Sequence, residues 1–408
     1  MRITHLSLTN FRNYARLELA MPAGMIVLFG DNAQGKTSLL ESIYYLATSR
    51  SLHTTSERQL INWLAEAEPI PFARLVAEVY TQQGLKRVEM TLLPEHGPLL
   101  RFKKEIRING LPRRVMDLLG QVAVVMFLPQ DLALVEGSPI ERRRYLDITL
   151  CQTDPLYCQA LSRYTKVLAQ RNALLRQLQE RGGRGDISQI AFWDEELAQN
   201  GGVIVAGRNR LVQELERGAQ RIHRDLSGAN EHLRLRYQPG FDPSSESSGQ
   251  LSFDAADLGA AALPQLPPSQ IAERFQAELR ACWQRDIARG MTTIGPQRDE
   301  MRFIVNGHDL GLYGSRGQNR TAVLALKLAE LAWMRDKMGE WPILLLDEVA
   351  AELDSHRRRY LLERVRQADQ LLLTTTEPGL LPPEYLDGAA QWRVEGGHIT
   401  ALLQDRPA

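Results

Sequence analysis

The chain has 408 residues, 44% of them hydrophobic, with Lys+Arg and Asp+Glu both at 49 and a formal net charge of zero. That length allows two lobes around a large core, and the balanced charge excludes an overall field that would draw the molecule to polyanions or an anionic membrane. The three cysteines, Cys151, Cys158 and Cys282, and the eight scattered histidines show neither a disulfide framework nor paired metal-ligand spacing.

Residues 1–12 alternate apolar and polar like a strand and lack the continuous apolar core of a signal peptide. No stretch is long enough to cross a bilayer, so a soluble, cytoplasmic protein without a membrane partner is expected. Up to residue 128 the period is mainly two, at 3–8, 25–29, 75–80, 88–92, 99–108 and 122–127, with one strong helix after Gly35. From Ser138-Pro139-Ile140-Glu141, a capping box with Pro at the first helical position, helical periodicity takes over. Leu161, Tyr164, Leu168, Leu175 and Leu178 trace one stripe; Leu197, Ile204, Leu211 and Leu215 a second; Ile271, Phe275, Leu279 and Ile287 a third. Residues 239–270 turn to Ser, Gly, Pro and Ala and read as a mobile surface loop. After Met291 strand and helix patterns alternate again. The expected fold class is α/β. Its first sheet-rich lobe runs over 1–128, a mainly helical second lobe is inserted at 129–290, and the first lobe is completed by 291–408.

Gly30-Asp31-Asn32-Ala33-Gln34-Gly35-Lys36-Thr37 fits G-x-x-x-x-G-K-[ST] between an apolar strand and a helix. Its backbone N–H groups and the helix N-terminus can cradle the phosphates of ATP. Lys36 would reach the β- and γ-phosphates and Thr37 would bind Mg²⁺. Ser38, after Thr37, joins the candidate ATP contacts. The bland alternative is an ordinary glycine turn. Far downstream, an apolar strand ends in Asp347-Glu348, a Walker B pattern: Asp347 can hold Mg²⁺ and Glu348 can act on the attacking water. Asp354 resembles a D-loop acid, against the alternative of a helix N-cap. Ser315-Arg316-Gly317-Gln318 resembles the ABC signature, in which Ser315, Gly317 and Gln318 would serve the nucleotide of a second copy. Gln130, after the strand at 122–127, is a candidate Q-loop residue and metal sensor.

Lys86, Arg87, Arg101, Lys103, Lys104, Arg107, Arg113 and Arg114 outnumber Glu89, Glu95 and Glu105, and alternation along 101–107 would put several cations on one strand face. Arg101, Lys103, Lys104, Arg107, Arg113 and Arg114 are therefore candidates for holding a DNA backbone, with the triplets 142–144 and 357–359 as others; solvated charged faces are the alternative.

Leu8-Thr9-Asn10-Phe11-Arg12-Asn13-Tyr14, residues 127–147, Gly295-Pro296-Gln297-Arg298-Asp299 and Ser315-Arg316-Gly317-Gln318-Asn319-Arg320-Thr321 resemble the RecF family over nearly the whole chain. The resemblance implies a Rad50-like, ABC-type P-loop ATPase head with a helical second lobe, an ATP-dependent homodimer, slow hydrolysis, and binding to gapped or junction DNA. It also implies work with RecO and RecR in loading RecA on single strands coated by single-strand-binding protein. Arg12 resembles an arginine near the nucleotide in related heads, and Asn13 beside it joins the candidate ATP contacts. Gln130 departs from the acid associated with the family at that place. A transporter's switch histidine is replaced by the Thr-rich run 374–376. A transporter subunit, an ATPase-linked nuclease and a non-catalytic DNA-binding scaffold are the competing readings.

Overall fold

In the computed structural model the described residues are 1–408 except 55, 66–67, 96–100, 183, 186, 245–262, 378, 380 and 403–408. Most of the stretch read as a surface loop, 239–270, lies outside them. The chain divides into two compact units: residues 1–131 with 330–408, and residues 132–329.

Among the described residues the first unit holds two six-stranded sheets. One is antiparallel, ordered Tyr14–Ala20, Arg2–Phe11, Ala73–Thr81, Gly84–Glu95, Arg101–Ile108 and Leu111–Arg113. Its strands alternate between core and solvent, as the period of two requires when one face is wet. The other is ordered His398–Leu402, Ala390–Glu395, Gly24–Phe29, Gln370–Thr375, Ile343–Asp347 and Val124–Phe127, parallel throughout except at its His398–Leu402 edge. Every residue of Ile343–Asp347 and Gln370–Thr375 is buried, the continuous apolar signature of a parallel strand covered on both faces. Gln370 fastens the two sheets. Fully buried, it accepts from the Ile3 amide at 2.8 Å and donates to the carbonyls of Ile3 and Pro22, both at 2.9 Å.

The second unit is built on the helices Pro139–Thr153, Pro155–Glu180, Ser188–Leu226, Pro268–Ala281 and Trp283–Arg289. Leu197, Ile204, Leu211 and Leu215 are all buried along the longest of them, as their spacing predicts, each such side chain contributing about 1.5–3 kcal/mol over exposure. Gly201 and Gly202 lie where that helix meets Pro268–Ala281. A Cβ on Gly202 would stand 2.3 Å from the Pro268 carbonyl oxygen, so the close approach needs glycine there.

Three expectations are corrected. Ser138 makes no side-chain cap bond, although Pro139 does open its helix. The stripe of Pro155–Glu180 carries Arg171 at its centre, fully buried and bonded to Asp194 at 2.6 Å and Asp286 at 2.7 Å. The chain rejoins the first unit at Glu330 instead of near 291. Glu300–Val305 pairs antiparallel with Leu233–Gln238, and with His308–Asp309 they form a three-stranded sheet inside the second unit. Leu233–Gln238 and Glu300–Val305 are short and more than sixty residues apart, so local periodicity carries no sign of their pairing.

Candidate functional site

Between the strand Gly24–Phe29 and the helix Lys36–Thr48, the loop turns with positive φ at Gly30, Ala33 and Gly35. A Cβ on Gly30 would meet the Val394 carbonyl oxygen at 2.3 Å, so glycine is obligatory at that turn. Lys36 is buried, and its Nζ donates to the carbonyls of Gly30 at 2.7 Å and Asp31 at 3.1 Å and faces Glu348 at 3.3 Å. Thr37 donates its hydroxyl to both oxygens of Asp347, at 2.9 and 3.0 Å. The parallel register sets Asp347 beside Thr374, whose hydroxyl donates to Asp347 Oδ1 at 2.7 Å and accepts from the Glu348 amide at 3.0 Å. Glu348 takes a left-handed conformation, φ 52°, at the strand end. The loop lysine, its threonine and the Walker B acids thus converge.

Other neighbours hold the loop from behind. Asn13 donates to the Ala33 carbonyl at 3.2 Å and accepts from Ser38 Oγ at 2.9 Å. Tyr14, wholly buried, donates to the Gly35 carbonyl at 2.9 Å, and burial pushes its phenol above the usual range. Gln34 accepts from the amides of Gly396 at 2.7 Å and Gly397 at 3.0 Å. Arg12, a candidate ATP contact, is tied to the helix that follows the loop. Its guanidinium is forked onto Glu41 at 2.8 and 3.0 Å and donates to the Gln59 carbonyl at 2.9 Å. Gln130 is exposed on the short turn Pro129–Leu132, following the strand that flanks Ile343–Asp347.

Asp354 accepts from the Arg357 amide at 2.8 Å and caps the helix Ser355–Val365. In the second unit, Ser315 and Gln318 form a reciprocal cap at the start of Arg316–Met338: the Ser315 amide donates to Gln318 Oε1 at 3.0 Å and the Gln318 amide to Ser315 Oγ at 3.3 Å. Gln318 also donates to Glu231 at 2.7 Å. Ser315 and Gly317 are exposed, so the helix start faces solvent.

The basic clusters fare unevenly. Lys103 and Arg107 share the exposed face of Arg101–Ile108, but ion pairs Lys103–Glu105, Arg74–Glu89 and Arg87–Glu78 offset much of the charge around them. Lys104 points the other way, half-buried over the Tyr45 ring and bonded to the Ser49 carbonyl at 2.7 Å and to Glu57 at 3.2 Å; period-two alternation requires this reversal. Arg107, Arg113 and Arg114 are exposed and have no side-chain ion pair among the described residues. The triplet 142–144 is partly internal: Arg142 is buried against Glu300, and Arg143 donates to the Asp299 carbonyl at 2.8 Å. At 357–359, Arg357 pairs with Asp354 and Arg358 donates to the carbonyls of Ala350 and Leu353.

Sequence reasoning missed the supporting roles of Tyr14, Glu41 and Asp299. Asp299 ends the Gly295-Pro296-Gln297-Arg298-Asp299 segment, fully buried. It pairs with Arg208 at 2.7 Å, and accepts from the Gly240 amide at 2.8 Å and from Tyr237. Burial raises its carboxyl against the opposing pull of Arg208. Its place in a segment that resembles the RecF family is the signal the sequence offers, because the partners lie far away in sequence. Among the described residues no group of three or more His, Cys, Asp or Glu could hold a metal, and no helix is long and apolar enough to cross a membrane.

The model for the RecF/RecN/SMC N terminal domain matches residues 2–383. The DNA replication and repair protein RecF of Chloroflexus aurantiacus is 42% identical, over 98% of this chain and 100% of that protein, and that of Geobacillus thermodenitrificans is 36% identical over the same shares. Among solved structures, the recombination mediator protein RecF-ATPrS in the RecFOR pathway superposes with a TM-score of 0.81 at 27% identity, covering 98% of both chains. The RecF-ATP structure of that pathway matches equally well, covering 98% of this chain and 97% of the other. The fold is accordingly that of an ABC-type ATPase head, and a likeness that runs end to end in both sequence and structure means that the chain belongs to the RecF family of DNA replication and repair proteins.

Proposed function

We propose that this chain binds ATP at the loop 30–37, hydrolyses it slowly with stimulation by DNA, and dimerises around two nucleotides. Bound at gapped or junction DNA, it acts with RecO and RecR in placing RecA on single strands covered by single-strand-binding protein. The observation that carries the reading is the contact between Thr37 and Asp347, 310 residues apart, with Lys36 and Glu348 beside it.

The chemistry follows from the side chains. Loop N–H groups and Lys36 bind the β- and γ-phosphates, and the Lys36 ammonium must exchange its carbonyl partners for phosphate oxygens. One hydroxyl and one carboxylate, hard oxygen donors in contact, suit Mg²⁺, which takes few protein ligands and completes its shell with phosphate and water. When bound there, the ion supplies charge neutralisation to the phosphate oxygens. Thr374 orients Asp347 and fixes the backbone of Glu348, whose carboxylate then orients the attacking water and takes its proton. Asn13 and Ser38 brace the loop. Ser315, Gly317 and Gln318, capping a helix that faces solvent, would close over the terminal phosphate of a second copy, with Asp354 at the seam.

RecFOR membership of the similar solved structures supports the partners, and the family supports DNA as the substrate surface. Phosphate release by the pure protein, with and without gapped duplex, tests the reading. Release that rises with DNA and disappears in Glu348→Gln is expected; no ATP turnover under either condition would defeat it.

A further inference from the structure

A groove of about 360 Å³ in the second unit is lined by Gln220, Arg221, Arg224, His232, Leu233 and Arg234. It lies where the last turns of Ser188–Leu226 meet the strand Leu233–Gln238. Three guanidiniums and an imidazole line it, and among the described residues no carboxylate and no Phe, Tyr or Trp does. Arg221 and Arg224 are exposed, and their side chains make no ion pair or hydrogen bond among the described residues. Glu216 stands behind the groove, accepting from Gln220 at 3.2 Å and pairing with Arg234, so two of the lining side chains are held in place. The rim at His232 is pinned through its backbone, by Asn306, at 2.9 and 3.2 Å.

The cations continue past the groove. Arg210, Arg217, Arg221 and Arg224 are all exposed and are spaced seven, four and three residues apart, which keeps them on one helix face. Glu214 and Asp225 flank this row without reversing its sign. At 1.5 Å per residue the row is about 21 Å long, room for several phosphates of a strand that carries one per ~3.4 Å. A small anion would need only the groove. A line of exposed arginines, without ion-pair partners among the described residues, matches a polymer of phosphates, for which the guanidinium fork is suited.

We infer that this groove and the arginine row leading into it form a phosphodiester-binding track for the DNA backbone, separate from the strand 101–108 cluster. Without Phe, Tyr or Trp in its described lining, the track binds duplex without reading bases. The inference rests on the DNA-binding reading above. Anisotropy of a fluorescein-labelled gapped duplex, titrated with full-length protein and a non-hydrolysable ATP analogue across a salt series, tests it.

Arg221→Ala with Arg224→Ala should retain the wild-type melting temperature and ATP affinity while losing two phosphate contacts. The slope of log affinity against log salt then becomes shallower by about 2, and the wild-type advantage shrinks about 12-fold between 0.05 and 0.2 M salt. An unchanged slope in a folded double variant overturns the track while leaving DNA binding by the protein intact. A wild-type chain that binds no duplex defeats the functional reading and this inference together. Arg221-dependent binding of polyglutamate, with duplex bound equally by both proteins, assigns the groove to an acidic protein and overturns the inference.

Discussion

Lys36 shows how one side chain can be both structural and chemical. Its ammonium lies within 3.3 Å of Glu348 and is bonded to two loop carbonyls, so it helps shape the loop that phosphate would occupy. Lys36→Ala should weaken nucleotide binding by about 10- to 150-fold, from the ~1.5–3 kcal/mol of one charge-assisted hydrogen bond; calorimetric titration with an ATP analogue gives the value, and undiminished affinity contradicts the assignment. Glu41 offers a pH test at the same scale. Burial pushes its carboxyl up, but hydrogen bonds from Arg12 and Ser51 and the Arg12 charge outweigh that and hold it below the ordinary 4.5. With the folded value depressed, the unfolded chain binds more protons, so the contribution is present above about pH 4.5 and is lost as pH falls through the folded value. Urea midpoints measured from neutral pH down to acid should therefore fall in the wild type. The fall should be smaller in Arg12→Ala, where burial raises Glu41 instead; identical pH profiles would remove Arg12 as the cause.

At the scale of elements, the two units are stabilised by different means. The parallel sheet is a continuous apolar core, and its register alone brings Asp347 to Thr374. The helical unit encloses charge: Arg171, Asp194 and Asp286 are each inaccessible, with Trp283 donating to Asp194 at 2.5 Å and Thr292 accepting from Arg171 at 2.8 Å. Arg171→Met leaves two buried carboxylates without a counter-charge and should destabilise this unit by about 3–5 kcal/mol, read from urea unfolding. A change under ~1 kcal/mol would remove the buried trio as a determinant of this unit's stability. Neither stripe analysis nor composition could anticipate this trio, because a helical pattern treats Arg171 as a break in the apolar face.

For the whole molecule, the incomplete reaction centre is the proposal with most to lose. The loop 30–37 belongs to one compact unit and Ser315 to the other, and two copies sharing sites would allow complementation. Lys36→Ala and Ser315→Arg should each abolish turnover alone. Mixed in equal amounts they should recover to about a quarter of wild type, since half the dimers are mixed and each mixed dimer has one intact site. No recovery, with mixed dimers present on native mass spectra, would rule out sharing.

The local features were legible from residues alone. The loop glycines, Lys36 and Thr37, the apolar run into Asp347-Glu348 and the Ser315–Gln318 cap of Arg316–Met338 rest on short-range pattern: turn chemistry, strand burial and helix capping act within a few residues, so a linear reading captures them. Which charges are free was decided only in three dimensions. Lys104 turns inward, Arg142 serves Glu300, Arg12 serves Glu41, and Arg221 with Arg224 stays unpaired at the edge of a groove. A cation's availability depends on acids and carbonyls brought to it from distant segments. The same dependence places the return to the first unit at Glu330, because the pairing of Glu300–Val305 with Leu233–Gln238 is a long-range contact that local periodicity does not encode.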